Sequence, residues 1–386
     1  MLPRFVTAVL AAALLSSSAL AASPAPSDPA AVSPDAPTPP PAIAPPDLSE
    51  QAINTADFAG YEARLRAKDE AAKLAASAPA DATAKPDPVA ATIEGDDAEK
   101  AKDAPDPFLV RVQVLLDRAH ASPGVVDGRD GGNTTKAVRS YADLKGEKGS
   151  GAIDAGFWQA LAADGAPAVM RYTISDDDLR QEFIGEVPED YAKLAKLDCA
   201  CYRDAAEMFA ERFHMDEDLL KAMNPNVDFG KAGTAILVAD PGPDPDPAMK
   251  VAHIVVDKDR GELFAYGEDK KLIVAYPATI GSSDTPSPSG KMKVNGSAKN
   301  PKYEYDPKNF VQGKNRKELT LPAGPNGPVG NVWIDLSKPT YGIHGTPEPS
   351  KIDKTNSHGC VRLTNWDAQA LSRLVQPQKT TVEFKG

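Results

Sequence analysis

Ser357-His358-Gly359-Cys360-Val361-Arg362-Leu363 is the stretch that decides how the chain reads. It sets a thiol, an imidazole and a guanidinium within five residues, shortly after Ile343-His344-Gly345-Thr346. Thiolate is the reactive form of cysteine, so a nucleophilic Cys360 needs a base or cation beside it that keeps it ionised near neutral pH. His344 and His358 are the candidates. Gly359 lets the backbone bend without a Cβ penalty, which suits backbone N–H groups gathered into an oxyanion hole. Arg362, two residues past the thiol, falls on the same side of an extended segment, where its fork can hold a carboxylate or an internal ion pair. Ser357 reads as a hydrogen-bonding support rather than a second nucleophile.

Working outward, the surrounding texture is that of strands. Apolar alternation marks His253–Val256, Glu262–Tyr266 and Leu272–Thr279, with turns between them, and helical signals are scarce until Trp366–Leu374. Residues 250–386 therefore form a mostly β domain with its polar motifs in the loops. Thr285-Pro286-Ser287-Pro288-Ser289-Gly290, Gly324-Pro325-Asn326-Gly327-Pro328-Val329-Gly330 and the two histidine segments follow one another in this domain. In that order they resemble the catalytic domain of L,D-transpeptidases of the YkuD type. The resemblance implies that Cys360 is the nucleophile, that His344 is the general base oriented through the Gly345 backbone carbonyl, and that His358 and Gly359 shape the site. It also implies a peptidoglycan tetrapeptide substrate, held in part by Arg362 and Ser357, release of D-alanine, a thioester, and acylation of Cys360 by carbapenems. No cofactor is expected. A zinc site built from two histidines and a cysteine is disfavoured, because the paired short-range spacing of zinc ligands is missing.

Ahead of this domain lie two smaller modules. Residues 107–165 carry three short helical patterns, with Asn133 or Thr134 expected to cap the second and Asp154 the third. Val112-Gln113-Val114-Leu115-Leu116, Ser122-Pro123-Gly124-Val125-Val126-Asp127-Gly128 and Asn133-Thr134-Thr135-Lys136-Ala137-Val138 resemble the helical peptidoglycan-binding domain of wall hydrolases. Residues 171–240 read as a strand, two helices and a closing strand, interrupted by an insertion between Ile174 and Ala205. Ala205–Phe213, Asp218–Pro225 and Ala232–Val238 resemble a degenerate LysM module. The fold class expected is thus multidomain α+β: a three-helix module, an α/β module, then the β-rich catalytic domain. Asp240–Pro247 reads as a stiff acidic linker, and the modules before it as tethers to the wall rather than parts of the catalyst.

Residues 1–22, with Arg4, an apolar run and Ala19-Leu20-Ala21, read as a secretory signal, so a periplasmic or exported location is expected. Residues 23–106 read as a linker with one possible helix over 55–76. Ten of the 25 residues from Ser23 to Asp47 are proline, which favours an extended spacer. No later stretch is long and apolar enough to cross a membrane.

Charge separates the halves: residues 250–386 hold 20 Lys and Arg against 14 Asp and Glu, and the preceding 249 hold 23 against 41. The basic half suits an anionic polymer, and export points to carboxylate-bearing wall peptides and glycan rather than nucleic acid. Cysteine is odd in number, with Cys199, Cys201 and Cys360. Cys199 and Cys201 read as two small core residues ahead of a helix, an i,i+2 disulfide being the alternative. His120, His214 and His253 read as isolated structural residues, and the polar stretch 303–320 as a lid or a solvated excursion.

Overall fold

In the computed structural model, residues 46–77, 104–281, 287–307, 317–355 and 359–386 are described. The signal-like segment, nearly all of the proline-rich spacer, Thr285 and Pro286, the middle of 303–320, and both Ser357 and His358 lie outside them. Among the described residues no helix is long and apolar enough to cross a membrane.

Ser49 caps a first helix, Glu50–Thr55, and a second runs Phe58–Ser77. The ring of Tyr61 on the second stacks on Phe108 with centroids 4.8 Å apart. Phe108 belongs to helix Pro107–Arg118, which starts on an Asp106 cap with proline in its first turn, where the missing N–H costs nothing. With Gly132–Leu144 and Ala155–Leu161 it forms a three-helix unit whose core includes Leu109, Val112, Leu116, Val138 and Tyr141. Asp154 caps the third helix by accepting from Phe157 N. The second begins instead at Gly131 without a side-chain cap bond. Asn133 is otherwise engaged, donating from Nδ2 to the Ile352 carbonyl at 3.1 Å in the β-rich domain.

Strands β1 (Val169–Thr173) and β2 (Ala235–Ala239) pair antiparallel and close around helices Ala205–Arg212 and Glu217–Met223. Phe209, Met208, Leu219 and Leu220 are wholly buried between them. The insertion carries a correction: Cys199 and Cys201 are bonded to each other rather than being free core residues. The small ring presents Ala200, which is fully buried, to the loop 322–327 of the next domain. Ala200 N donates to Ala323 O at 2.9 Å, and Asn326 N donates to Ala200 O at 3.0 Å.

Eight strands make the last domain: β3 (His253–Asp257), β4 (Glu262–Tyr266), β5 (Leu272–Pro277), β6 (Gly290–Lys299), β9 (Val332–Leu336), β10 (Gly342–His344), β11 (Val361–Arg362) and β12 (Thr381–Lys385), in the order β11-β10-β9-β6-β12-β3-β4-β5. A separate hairpin pairs β7 (Tyr303–Tyr305) with β8 (Leu319–Leu321). A bulge between Val294 and Gly296 bends β6 so that it serves both halves of the sheet. Just past β5, Thr279 bridges Arg362 on the opposite edge strand, so the sheet curls until its two edges meet. Helix Asn365–Leu374 packs Leu371 and Leu374 into the same core as Ile254, Val332, Ile343 and Leu363.

The modules do not hang from a tether. His120 O accepts from Ala275 N and Ser122 N donates to Ala275 O, both at 3.0 Å, which ties the first module to β5. Ser140 Oγ donates to the buried Glu262 at 2.6 Å, and Arg260 reaches Asp143 at 3.0 Å. His214 is not isolated: its ring lies 2.7 Å from an Asp117 carboxylate oxygen and stacks on Trp366 at 5.0 Å. The 240–247 linker is also docked, with Asp244 paired to Arg373 and Asp240 O accepting from Arg118 at 2.8 Å. Prolines stiffen that segment, but its acidic side chains find fixed cations.

Candidate active site

Two short strands position the chemistry. β10 and β11 run parallel, with Ile343 opposite Val361 and His344 opposite Arg362. Side chains alternate along a strand, so Ile343, Val361 and Leu363, all wholly buried, fill the core face. Gly342, His344, Cys360 and Arg362 share the other face. One step back along this register from Ile343 and Val361, Cys360 faces Gly342 and lies one pleat from His344. The thiol segment is clamped on both sides: Leu363 N donates to His344 O at 2.8 Å, and Arg362 exchanges backbone bonds with Thr279 at 2.9 and 3.0 Å.

His344 is 4% exposed, and its Nδ1 lies 2.7 Å from the Gly345 carbonyl oxygen. A carbonyl only accepts, so Nδ1 carries the hydrogen and Nε2 is left with its lone pair. Burial, together with the Arg362 charge, pushes the imidazole down to about 4 against the smaller opposing effect of the Gly345 bond. The ring is therefore a neutral base at physiological pH. Trp333, opposite it on β9, stacks on it at 5.5 Å and 18°. That indole occupies the space beside Gly342, where a Cβ would lie 2.4 Å from the ring.

Cys360 forms no disulfide and is partly exposed, with its sulfur 3.6 Å from the Thr340 carbonyl oxygen. Burial pushes its thiol above the ordinary cysteine range, although the Gly342 backbone bond and the Arg362 charge pull the other way. The expectation of a thiol kept ionised near neutral pH is thereby corrected. Both partners are desolvated, which disfavours the charged form of each, and the resting pair is thiol and neutral imidazole.

Gly359, ahead of the thiol, has φ +105, a region in which a Cβ is strained. Its carbonyl accepts from Ser287 Oγ at 2.9 Å, and Ser287 Oγ in turn accepts from Gly281 N at 2.9 Å. Ser287 is 6% exposed. It is a site residue that sequence reasoning quoted within a motif without giving it a role; a serine between two prolines was the available signal. Of the expected site residues, Cys360, His344, Gly345, Gly359 and Arg362 come together here, and Ser357 and His358 lie outside the described residues.

A family model of the L,D-transpeptidase catalytic domain matches residues 251–383. The chain is 30% identical over 184 residues to the Bacillus licheniformis protein bearing the name L,D-transpeptidase YkuD, covering 47% of this chain and 93% of that protein. The Bacillus subtilis protein of the same name is 30% identical over 180 residues, with 46% and 92% covered. The Escherichia coli K12 protein named L,D-transpeptidase YbiS is 30% identical over 185 residues, 46% of this chain and 59% of that protein. Only 136 residues run from Val251 to the end of the chain, so the 184-residue alignment reaches into the preceding module.

Proposed function

The chain belongs to the L,D-transpeptidase family, and from that premise we propose that it is a cysteine-dependent acyltransferase of the cell wall, with Cys360 as nucleophile and His344 as base. The observation that carries this reading is the buried, neutral His344, held as its Nδ1–H tautomer by Gly345 and set one pleat from Cys360 on the same face.

In the first half-reaction Cys360 Sγ attacks the carbonyl of the third residue of a tetrapeptide stem as His344 Nε2 takes the thiol proton. A C–S bond forms, and negative charge gathers on the former carbonyl oxygen. Backbone N–H groups around Gly359 and Cys360 are the donors proposed for that oxygen, and His358 is proposed to support the site rather than to transfer protons. The C–N bond then breaks, His344 gives its proton to the leaving D-alanine amine, and a thioester remains. In the second half-reaction an amine attacks the thioester, His344 takes its proton, the C–S bond breaks, and the thiol is restored. Arg362, on the same face, is the group proposed to hold a stem carboxylate, with Ser357 supporting it.

Residues 107–165 and 171–240 are proposed to face glycan and stem peptides, and residues 1–22 to direct export to the periplasm or beyond. The test is mass spectrometry of muropeptides from sacculi incubated with the full chain and with Cys360→Ala. New 3→3 dimers formed only by the unaltered protein support transfer. Loss of D-alanine alone replaces the amine with water as acceptor. Identical profiles overturn the reading and leave a wall-binding scaffold.

A further inference from the structure

We propose that Asn365 is a positioning residue for His344 and that Glu211, supplied by the preceding module, holds Asn365 in place. The inference rests on the reading above, in which His344 is the base. It concerns residues on two domains that no motif linked.

Asn365 opens the helix behind β10 and is 1% exposed. Its carboxamide is wedged between two glycines: a Cβ on Gly330 would lie 2.0 Å from its Oδ1, and one on Gly345 2.1 Å from it. Neither position admits a side chain while the amide is there. Oδ1 accepts from Asn331 N at 3.3 Å. Nδ2 donates to Glu211 Oε1 at 3.0 Å, to Glu211 Oε2 at 2.9 Å and to Pro325 O at 3.3 Å. These partners fix which end of the amide is oxygen, since a backbone N–H can only donate and a backbone carbonyl can only accept.

Through that contact the carboxamide limits where the Gly345 peptide can lie. The Gly345 oxygen is the acceptor that selects the His344 tautomer. A shift of the amide therefore moves the acceptor, and with it the ring whose lone pair must meet the thiol. Displacements of about 1 Å from productive geometry cost on the order of 100-fold in rate.

Glu211 stands on helix Ala205–Arg212 and is 7% exposed. Glu207, one turn earlier, performs the same service for the neighbouring loop by accepting from Asn326 Nδ2 at 3.1 Å. Burial pushes the Glu211 carboxyl up to about 8 and Glu207 is paired with Arg203, so placing these acids at a junction that apolar residues could fill costs stability. Their cost is matched to a geometric purpose: both acids bond side-chain amides that set the 324–331 and 345 backbones. The module carrying them is thereby part of the catalytic machinery rather than an anchor beside it.

The experiment uses the full chain. Release of D-alanine from a soluble tetrapeptide gives kcat and KM, and intact mass after exposure to a carbapenem gives the rate of Cys360 acylation. Asn365→Ala and Glu211→Leu are expected to lower kcat and the acylation rate by roughly 10- to 100-fold while KM changes far less. Glu211→Gln, which keeps a carbonyl acceptor for Nδ2, loses far less than Glu211→Leu. The double variant is no worse than either single one, because both act through one contact. The acid limb of kcat/KM also moves upward as His344 loosens from its enclosure. Ser140→Ala breaks a different junction bond and calibrates the effect of lost stability. Should Asn365→Ala not fold, Glu211→Leu against Glu211→Gln carries the test alone.

Losses that add in the double variant, an unmoved acid limb, or kcat values no lower than that of Ser140→Ala overturn the proposal. If Cys360→Ala keeps its activity, the acyl-enzyme reading itself has failed. If Cys360→Ala is inactive while the two junction variants turn over normally, only this inference falls.

Discussion

Cutting the chain down to residues 250–386 removes the modules expected from sequence to act as tethers, and it tests whether they are separable. The buried polar bonds lost are specific. Glu211 leaves Asn365, Glu207 leaves Asn326, Ser122 leaves Asp367, Ser140 leaves Glu262, and the paired backbone bonds at Ala275 and Ala200 go with them. At about 1 kcal/mol net for each such bond, roughly eight of them amount to about 8 kcal/mol. A typical domain has only about 5–15 kcal/mol in total. Trp366 also loses the His214 ring stacked on it. The fragment is therefore expected to lack a cooperative urea transition or to show one at far lower denaturant, and to release D-alanine from a soluble tetrapeptide slowly even where it is folded. A fragment that unfolds near the full-length midpoint and turns the small substrate over at the full-length rate would refute the reasoning and restore the tether picture.

Cys360→Ser is expected to abolish D-alanine release while the melting temperature hardly changes, because a hydroxyl beside one imidazole ionises far less readily than a thiol; turnover at the level of the unaltered protein would remove Cys360 from its role. Since burial lifts the Cys360 thiol and holds His344 down to about 4, iodoacetamide labelling of Cys360 should climb steadily from pH 6 to 9. A rate plateau at pH 5–7, the mark of a resting thiolate and imidazolium pair, would contradict the neutral pair. Asp367 is held up at about 7 by burial and then by the Asp117 charge. A carboxyl raised in the folded state stabilises below its unfolded value, near 3.8, and that contribution is lost as pH rises through about 7. The urea midpoint should accordingly fall between about pH 4 and 7, and fall less in Asp367→Asn; an equal fall in both proteins counts against a buried, proton-binding Asp367.

What the sequence disclosed and what it hid divide along a physical line. The placement of Cys360 and Arg362 on one side of an extended segment was legible because strand periodicity is local, and the Asp154 cap depends only on neighbours a few residues away. The junction was not legible. Glu211 and Asn365 are 154 residues apart, and nothing in either stretch names the other. A faint signal existed in Ala205–Arg212, where Glu207 and Glu211 recur at i and i+4 on a helix whose remaining residues, Arg212 aside, are apolar. Such a pair reads as a solvated stripe until the partner surface is known. His214 was misread for the same reason, its partners Asp117 and Trp366 lying in two other modules. The Cys199–Cys201 bond was open to either reading because two cysteines with one residue between them satisfy both.

The same distinction governs the chemistry. Sequence identifies a thiol and an imidazole but not the polarity of their surroundings, and the expectation of an ionised thiol treated them as if in water. In the folded chain Trp333 covers one face of His344, Gly345 takes its Nδ1 hydrogen, and the Arg362 guanidinium adds positive charge nearby. Burial and the Arg362 charge leave Nε2 neutral at rest, and the Gly345 bond, which alone would favour the imidazolium, fixes the tautomer. Proton transfer then belongs to the attack itself, when charge develops on the substrate oxygen and the imidazolium gains a counter-charge it lacks in the free enzyme. A resting ion pair would react with any soft electrophile that reached it. A neutral pair spends its reactivity where a substrate supplies the charge, and its efficiency depends on how firmly His344 is held. That dependence is why a buried amide and a glutamate from another module bear on the rate at all.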